Sequence, residues 1–328
     1  MTGPHPAQAA VVTGLGTCLP ETVVTNDDLS RHLDTDHAWI HSRTGIARRH
    51  RASPGTGTGD LAVAAGAAAL KSAGRDDCDL VLLATTTPDR RCPATAPTVA
   101  SRLGLEAAAF DLSAVCSGFV YGLSAAAAMV TAGTCERALV IGADVYSSIV
   151  DPTDRTTAVV FGDGAGAVVL ERGSRDAPGA LLHCELGSDG TGADLITIPP
   201  GGDHLTMQGR AVYTRAVTTM TESARSVARA AGWSPDDIDA FVGHQANQRI
   251  LTSVAKRLGL PAERVISNIA DVGNTAAASI PLALADASAD GRIRQGDRLV
   301  LTAFGGGLTW GSAALVWPDT EAVCDVRA

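Results

Sequence analysis

Lysine is nearly missing from this 328-residue chain: of 26 lysines and arginines, only Lys71 and Lys256 are lysine. We read the arginine bias as codon usage of a GC-rich genome, without mechanistic content. Positive charge is in deficit overall. The formal net charge of −9 argues against a nucleic-acid binder, whose footprint is a basic face. Aromatic residues make up only 4% of the chain. No run approaches the roughly 18 apolar residues of a membrane span, so no membrane partner is expected. Residues 1–10 hold neither a basic stretch nor an apolar one, and read as a short mobile tail rather than a signal peptide. Seven cysteines, an odd number without a Cys-x-x-Cys pair, exclude a disulfide framework and fit a reducing cytoplasm. No cluster has metal-ligand spacing, and His32, His37 and His41 read as a polar helix face. What remains is an ordinary globular composition, 45% hydrophobic, long enough for two core-sized units.

Against these absences one cysteine stands out. Cys116, in Ala114-Val115-Cys116-Ser117-Gly118-Phe119, follows a strand-like apolar run at 107–112 and opens a small-residue helix through 125–128. A strand-to-helix junction presents a side chain to the positive end of the helix and to unpaired backbone N–H groups. That setting favours a thiolate and offers donors to an oxyanion. A lone cysteine is more often a small buried hydrophobe. Two further segments raise the case for Cys116: Gly243-His244-Gln245-Ala246-Asn247 and Gly273-Asn274-Thr275-Ala276-Ala277-Ala278-Ser279.

The chain repeats itself. The acidic turn and strand at 77–84 match 237–244, and Arg102-Leu103-Gly104-Leu105 matches Arg257-Leu258-Gly259-Leu260. Residues 137–142 match 297–302, and Phe161-Gly162-Asp163-Gly164 through Leu170 resembles Phe304-Gly305-Gly306-Gly307 through Leu315. Cys116 pairs with Asn274 at an offset of 158. Nearly constant offsets imply a duplicated architecture. Short Val/Leu strands alternate with Gly-ended helices, such as 61–73 before Gly74 and 212–231 before Gly232. Ser234-Pro235-Asp236-Asp237 offers an N-cap and a proline at a first helical position. The expected fold is α/β, with a half at 11–172 that carries the nucleophile and a half at 173–328 that carries His244 and Asn274. Each half closes on a Gly-rich hairpin in this reading, and symmetry brings the three side chains to one crevice. Gly162-Asp163-Gly164-Ala165-Gly166 precedes a strand rather than a helix, so it is no dinucleotide loop.

Taken together, these motifs resemble a β-ketoacyl-acyl-carrier-protein synthase III of the thiolase superfamily, over about residues 11–317. Trp39-Ile40 with Arg43-Thr44-Gly45-Ile46, Asp151-Pro152-Thr153-Asp154-Arg155, and Trp310-Gly311-Ser312 add to the match. The resemblance implies a layered α-β-α-β-α thiolase fold, a homodimer, and no metal or redox cofactor. It implies decarboxylative condensation of an acyl-CoA with malonyl-acyl carrier protein (ACP) through an acyl-Cys116 intermediate, in fatty-acid synthesis or polyketide priming. In that scheme the N–H groups of Cys116 and Gly306 hold the oxyanion, while His244 and Asn274 donate to the decarboxylating thioester. A base role for His244 in thiol activation stays open beside this one.

The same resemblance puts the CoA adenine between Trp39 and Arg155, with Arg43 and Thr44 near the phosphates and Gly209, Asn247 and Arg249 along the entrance. Arg210, Arg215, Arg249, Lys256 and Arg257 form the expected ACP-docking face. Cys92 aligns where acetyl-restricted members carry a phenylalanine reaching into the partner's acyl pocket, which implies room for longer or branched starters and adds weight to a specialised-metabolite role. A same-fold acyltransferase acting on a hydroxyl or amine acceptor is the alternative, and Asn274 favours condensation. A thiolytic enzyme needs a second catalytic cysteine, and none of the others lies in a Gly-rich loop.

Overall fold

A computed structural model describes residues 8–327. Residues 1–7 of the expected tail lie outside the described residues. Residues 8–10 do not belong to a tail: they begin strand β1 (Gln8–Pro20), with Ala9 and Ala10 buried.

The remaining strands of the two main sheets are β2 (Leu80–Ala84), β3 (Ala108–Leu112), β4 (Arg137–Asp144), β5 (Gly164–Ser174), β6 (Leu181–Ser188), β7 (Ala240–Gly243), β8 (Val265–Ile266), β9 (Arg298–Gly305), β10 (Thr309–Val316) and β11 (Val323–Arg327). One sheet has the order β11-β1-β5-β4-β2-β3 and the other β6-β10-β9-β7-β8. Setting β11 aside, strands five apart in number correspond. In both sheets the first two pairings are antiparallel and the last two parallel. The duplication extends to side chains. Asp79 accepts from the Arg137 N–H at the start of β4, and Asp239 from the Arg298 N–H at the start of β9.

Helix α1 (His37–Thr44) packs in a side cluster through Ile40, and six others fill three layers: α2 (Thr58–Ala73), α3 (Ala96–Arg102), α4 (Gly118–Thr131), α5 (Gly209–Ala230), α6 (Gln248–Leu258) and α7 (Ser279–Ala289). The small-residue helices α4 and α7 lie between the sheets, where Phe119, Leu123, Ile280 and Leu284 share a core with Val140 and Leu301. Alanine and glycine let the sheets close on them. Helices α2 and α3 cover the outer face of the first sheet, and α5 and α6 that of the second. The layers are α-β-α-β-α, as the resemblance implies.

Helix ends fall where glycine permits a left-handed residue: Gly74, Gly104, Gly232 and Gly259 all have positive φ. Three expectations need correction. Ser234 and Asp237 do form a capping box, yet the helix they start is one turn, Pro235–Asp237, before β7 begins. The first half does not close on a tight glycine hairpin; 19 residues, 145–163, separate β4 from β5, whereas β9 and β10 are joined by only three. Finally, the one-turn 3₁₀ helices Val115–Ser117 and Ala276–Ala278, each leading into a central helix, are the structural equivalents. The offset is 161, so the counterpart of Cys116 is Ala277 and not Asn274.

Candidate active site

The nucleophile's geometry begins one residue earlier. Val115 has φ +48 and Ala276, its counterpart, φ +46, the only two positive-φ non-glycine residues among those described. A β-branched residue in that region is strained, and such strain persists only where the surroundings hold it. Here Ser117 Oγ donates to the Thr309 carbonyl at 2.9 Å, and Thr309 Oγ1 lies 3.0 Å from the carbonyls of both Ala114 and Gly306. The nucleophile turn and the glycine turn are thereby stapled together.

The pseudo-symmetry also explains an open backbone donor. Ala277 N–H donates to Asp144, the last residue of β4, at 3.1 Å. At the matching end of β9 stands Gly305. A Cβ there would come within 2.8 Å of the Cys116 nitrogen. The Cys116 N–H therefore meets no carboxylate, and remains a donor for a developing oxyanion. Gly306, the other expected oxyanion residue, is buried directly after β9.

Cys116, His244 and Asn274 line one buried cavity of about 40 Å³ with Tyr146, Phe161 and Phe304. Thus three side chains from separate loops reach a single space. His244 follows β7, and its N–H donates to Thr302 of β9 at 2.8 Å. It is 2% exposed, and burial lowers its pKa to about 3. The ring is neutral. Its Nδ1 lies 2.6 Å from Ser279 Oγ, which accepts from the Gln245 N–H at 3.4 Å. A Ser279 hydroxyl that donates to Nδ1 leaves the ring proton on Nε2. Ser279, the first residue of α7, is a functional partner that the sequence reading did not single out.

Asn274 is clamped by its backbone: its N–H donates to Val160 and its carbonyl accepts from Gly162, both at 2.9 Å. Its Oδ1 accepts from the Ala276 N–H at 2.9 Å, which leaves Nδ2 as the free donor end of the amide.

The expected thiolate is not the resting state. Cys116 is 7% exposed; burial, reinforced by Asp144, pushes its thiol up to about 12 despite the adjoining helix start. Desolvation outweighs the helix end, so Cys116 and His244 rest as a neutral pair. Asp144 holds four hydrogen bonds, from the hydroxyls of Thr85 and Thr87 and the N–H groups of Thr86 and Ala277. Burial nonetheless raises it to about 7.

At the surface, Arg43 and Arg155 both lie over the Trp39 indole, 5.3 and 5.2 Å from the ring centroid. An intercalated ring needs two van der Waals contacts, roughly 7 Å in all. No such gap exists, because Arg155 already occupies the indole face and donates to the Asp34 carbonyl at 2.6 Å. Thr44 is buried, and its hydroxyl donates to the Ile40 carbonyl while accepting from Ile46. That leaves it no proton for a phosphate. Gly45 caps α1 at φ +82, with Gln248 where its Cβ would stand, so α1 docks tightly on α6. Asn247 and Arg249 reinforce that joint by donating to the carbonyls of Arg43 and Ser42.

Gly209 is exposed at the first residue of α5, and Arg210 and Arg215 line the open cleft beside it. Lys256 and Arg257 line the adjoining groove between α5 and α6, and the two depressions share Thr214. Arg215 also pairs with Asp189. Cys92 is exposed and does not line its own chain's cavity. His37 and His41 stack on α1 at 5.6 Å, while His32 lies outside that helix.

Two family models match: 3-oxoacyl-[acyl-carrier-protein] synthase III over residues 110–190, and its C-terminal part over residues 228–317. A β-ketoacyl-[acyl-carrier-protein] synthase III 2 of Streptomyces coelicolor is 82% identical, covering 97% of each chain. The crystal structure of a 3-oxoacyl-(acyl carrier protein) synthase III from Pseudomonas aeruginosa is 54% identical, with TM-score 0.93 over 95% of this chain and 99% of that one. A priming β-ketosynthase of the R1128 polyketide pathway is 35% identical, with TM-score 0.90 over 97% and 99%.

Proposed function

This chain belongs to the 3-oxoacyl-[acyl-carrier-protein] synthase III family, and from that premise we propose how its own residues divide the reaction. The enzyme is an acyltransferase that condenses an acyl-CoA starter with malonyl-ACP and so begins an acyl chain. In the proposed division, Cys116 Sγ attacks the acyl-CoA carbonyl, the thiol proton leaves with the CoA sulfur, and the acyl group stays on Cys116. The N–H groups of Cys116 and Gly306 hold the tetrahedral oxygen. Malonyl-ACP then loses CO2. The enolate oxygen accepts from His244 Nε2 and Asn274 Nδ2, donors that are uncharged and keep their protons. The enolate carbon attacks the acyl-Cys116 carbonyl and expels the Cys116 sulfur, which is reprotonated. Neither metal nor redox cofactor has a part in this scheme.

The shared cavity of Cys116, His244 and Asn274 carries this reading. The test is to incubate the protein with acetyl-CoA, with and without malonyl-ACP, and identify products by mass spectrometry. Acyl-enzyme alone in the first case and β-ketoacyl-ACP in the second are expected; acylated hydroxyl or amine acceptors would refute it.

For the outer parts we infer that CoA stacks its adenine on Trp39 once Arg155 has moved, with Arg43 at the phosphates and Gly209, Asn247 and Arg249 along the entrance. ACP, an acidic carrier, docks on Arg210, Arg215, Arg249, Lys256 and Arg257. A cytoplasmic homodimer completes the proposal. Its support is the unpaired edge of β3, where Phe110 is 39% exposed, together with the exposed Cys92 loop. No described helix is long and apolar enough to cross a membrane.

A further inference from the structure

The cavity at Cys116 holds a polar group that the scheme above leaves idle. Tyr146, in the turn after β4, is fully buried, with its ring stacked on Phe161 at a centroid distance of 4.5 Å and an interplanar angle of 15°. Its Oη makes no well-formed hydrogen bond within the chain. Native structures give nearly every buried hydroxyl a partner, so an orphan asks for an explanation. The stack fixes the ring, and the side chain is held in the wall of the cavity at Cys116. It faces the Cys116 thiol and the Thr86 hydroxyl, itself without a partner. A thiol is a weak acceptor while protonated, whereas an anionic acceptor makes a hydrogen bond about twice as strong.

We propose that the Tyr146 hydroxyl is a further catalytic group, donating a hydrogen bond to the Cys116 sulfur as negative charge develops on it: during attack on acyl-CoA, as the thiol proton passes to the leaving CoA sulfur, and on expulsion after condensation. The proposal rests on Cys116 being the acylated residue. The full-strength acceptor then exists only along the reaction, and the donor is preorganised for it. Other groups facing Cys116 do not fill this role. Asp144 opposes an anion, and in the scheme above His244 Nε2 donates to the enolate oxygen instead. Burial keeps the phenol well above its ordinary range, so Tyr146 stays a donor and no proton changes hands in the contact.

Tyr146→Phe keeps the ring and its stack and removes only the hydroxyl. We expect single-turnover acylation by acetyl-CoA to slow on the order of 100-fold at neutral pH. The rate of Cys116 alkylation by iodoacetamide at pH 8 should fall about tenfold or more, while melting temperature and preference for acetyl over butyryl stay unchanged. Wild-type acylation and a wild-type alkylation rate in Tyr146→Phe would overturn the proposal. So would a variant in which only starter preference moves, since that is the signature of a pocket wall. An acyl-enzyme that persisted in Cys116→Ala would instead remove the nucleophile assignment, and this proposal with it.

Discussion

Cys116, His244 and Asn274 are each uncharged at rest, and this sets what single substitutions should do. Cys116→Ala should leave no covalent acyl-enzyme by intact-mass measurement. His244→Ala and Asn274→Ala should retain measurable acyl transfer and lose malonyl decarboxylation; equal loss of both steps would point to thiol activation instead. The His244 ring has its own test. With a pKa lowered to about 3 by burial, it should keep a neutral, Nε2-protonated ¹⁵N signature from pH 8 to 5. The linkage sign follows. The unfolded chain protonates this histidine below about 6.5, so His244's contribution is intact above that pH and is lost as pH falls toward 3. His244→Gln should flatten that part of the stability profile. The motif letters made this trio legible. Tyr146, Asp144 and Ser279 were not, because their roles come from contacts across 30 or more residues that no local pattern announces.

Among elements, the matched 3₁₀ turns teach most. Sequence comparison paired Cys116 with Asn274 because both carry chemistry, whereas the backbone pairs Cys116 with Ala277 through the shared positive φ one residue earlier. Helix ends were legible because glycine in the left-handed region is a local requirement, as at Gly74 and Gly259. Burial of Thr44 and the resting thiol at Cys116 were not legible, since both depend on what packs against them. The matched turns also yield a prediction. Gly305→Ala places a methyl 2.8 Å from the Cys116 nitrogen, against backbone that cannot swing aside. Acylation should fall at least tenfold, on the order of losing one oxyanion donor, and the melting temperature should drop. Unchanged single-turnover kinetics would show that the turn yields freely.

At the scale of the whole molecule, the acyl cavity is small within one chain, and Cys92 lies outside it. Under the proposed dimer, an effect of Cys92 on starter choice passes through the second copy. In the proposed dimer, Cys92→Phe should shift kcat/KM toward acetyl-CoA over butyryl- and isobutyryl-CoA. Phe110→Asp, which sets a charge on the open edge of β3, should give a monomer by sedimentation and erase the Cys92→Phe difference. A wild type that already rejects butyryl-CoA, or a Phe110→Asp protein that still sediments as a dimer, would count against this arrangement.

The two guanidiniums over Trp39 have a kinetic consequence. Under the proposed CoA geometry the incoming base does not settle on a bare indole but evicts a tethered rival, Arg155, which must also give up its bond to the Asp34 carbonyl. Binding becomes an exchange of one stack for another, so most of the attraction between base and indole cancels and little is left to distinguish adenine from another flat ring. Grip on the nucleotide then falls to the phosphates and the pantetheine arm.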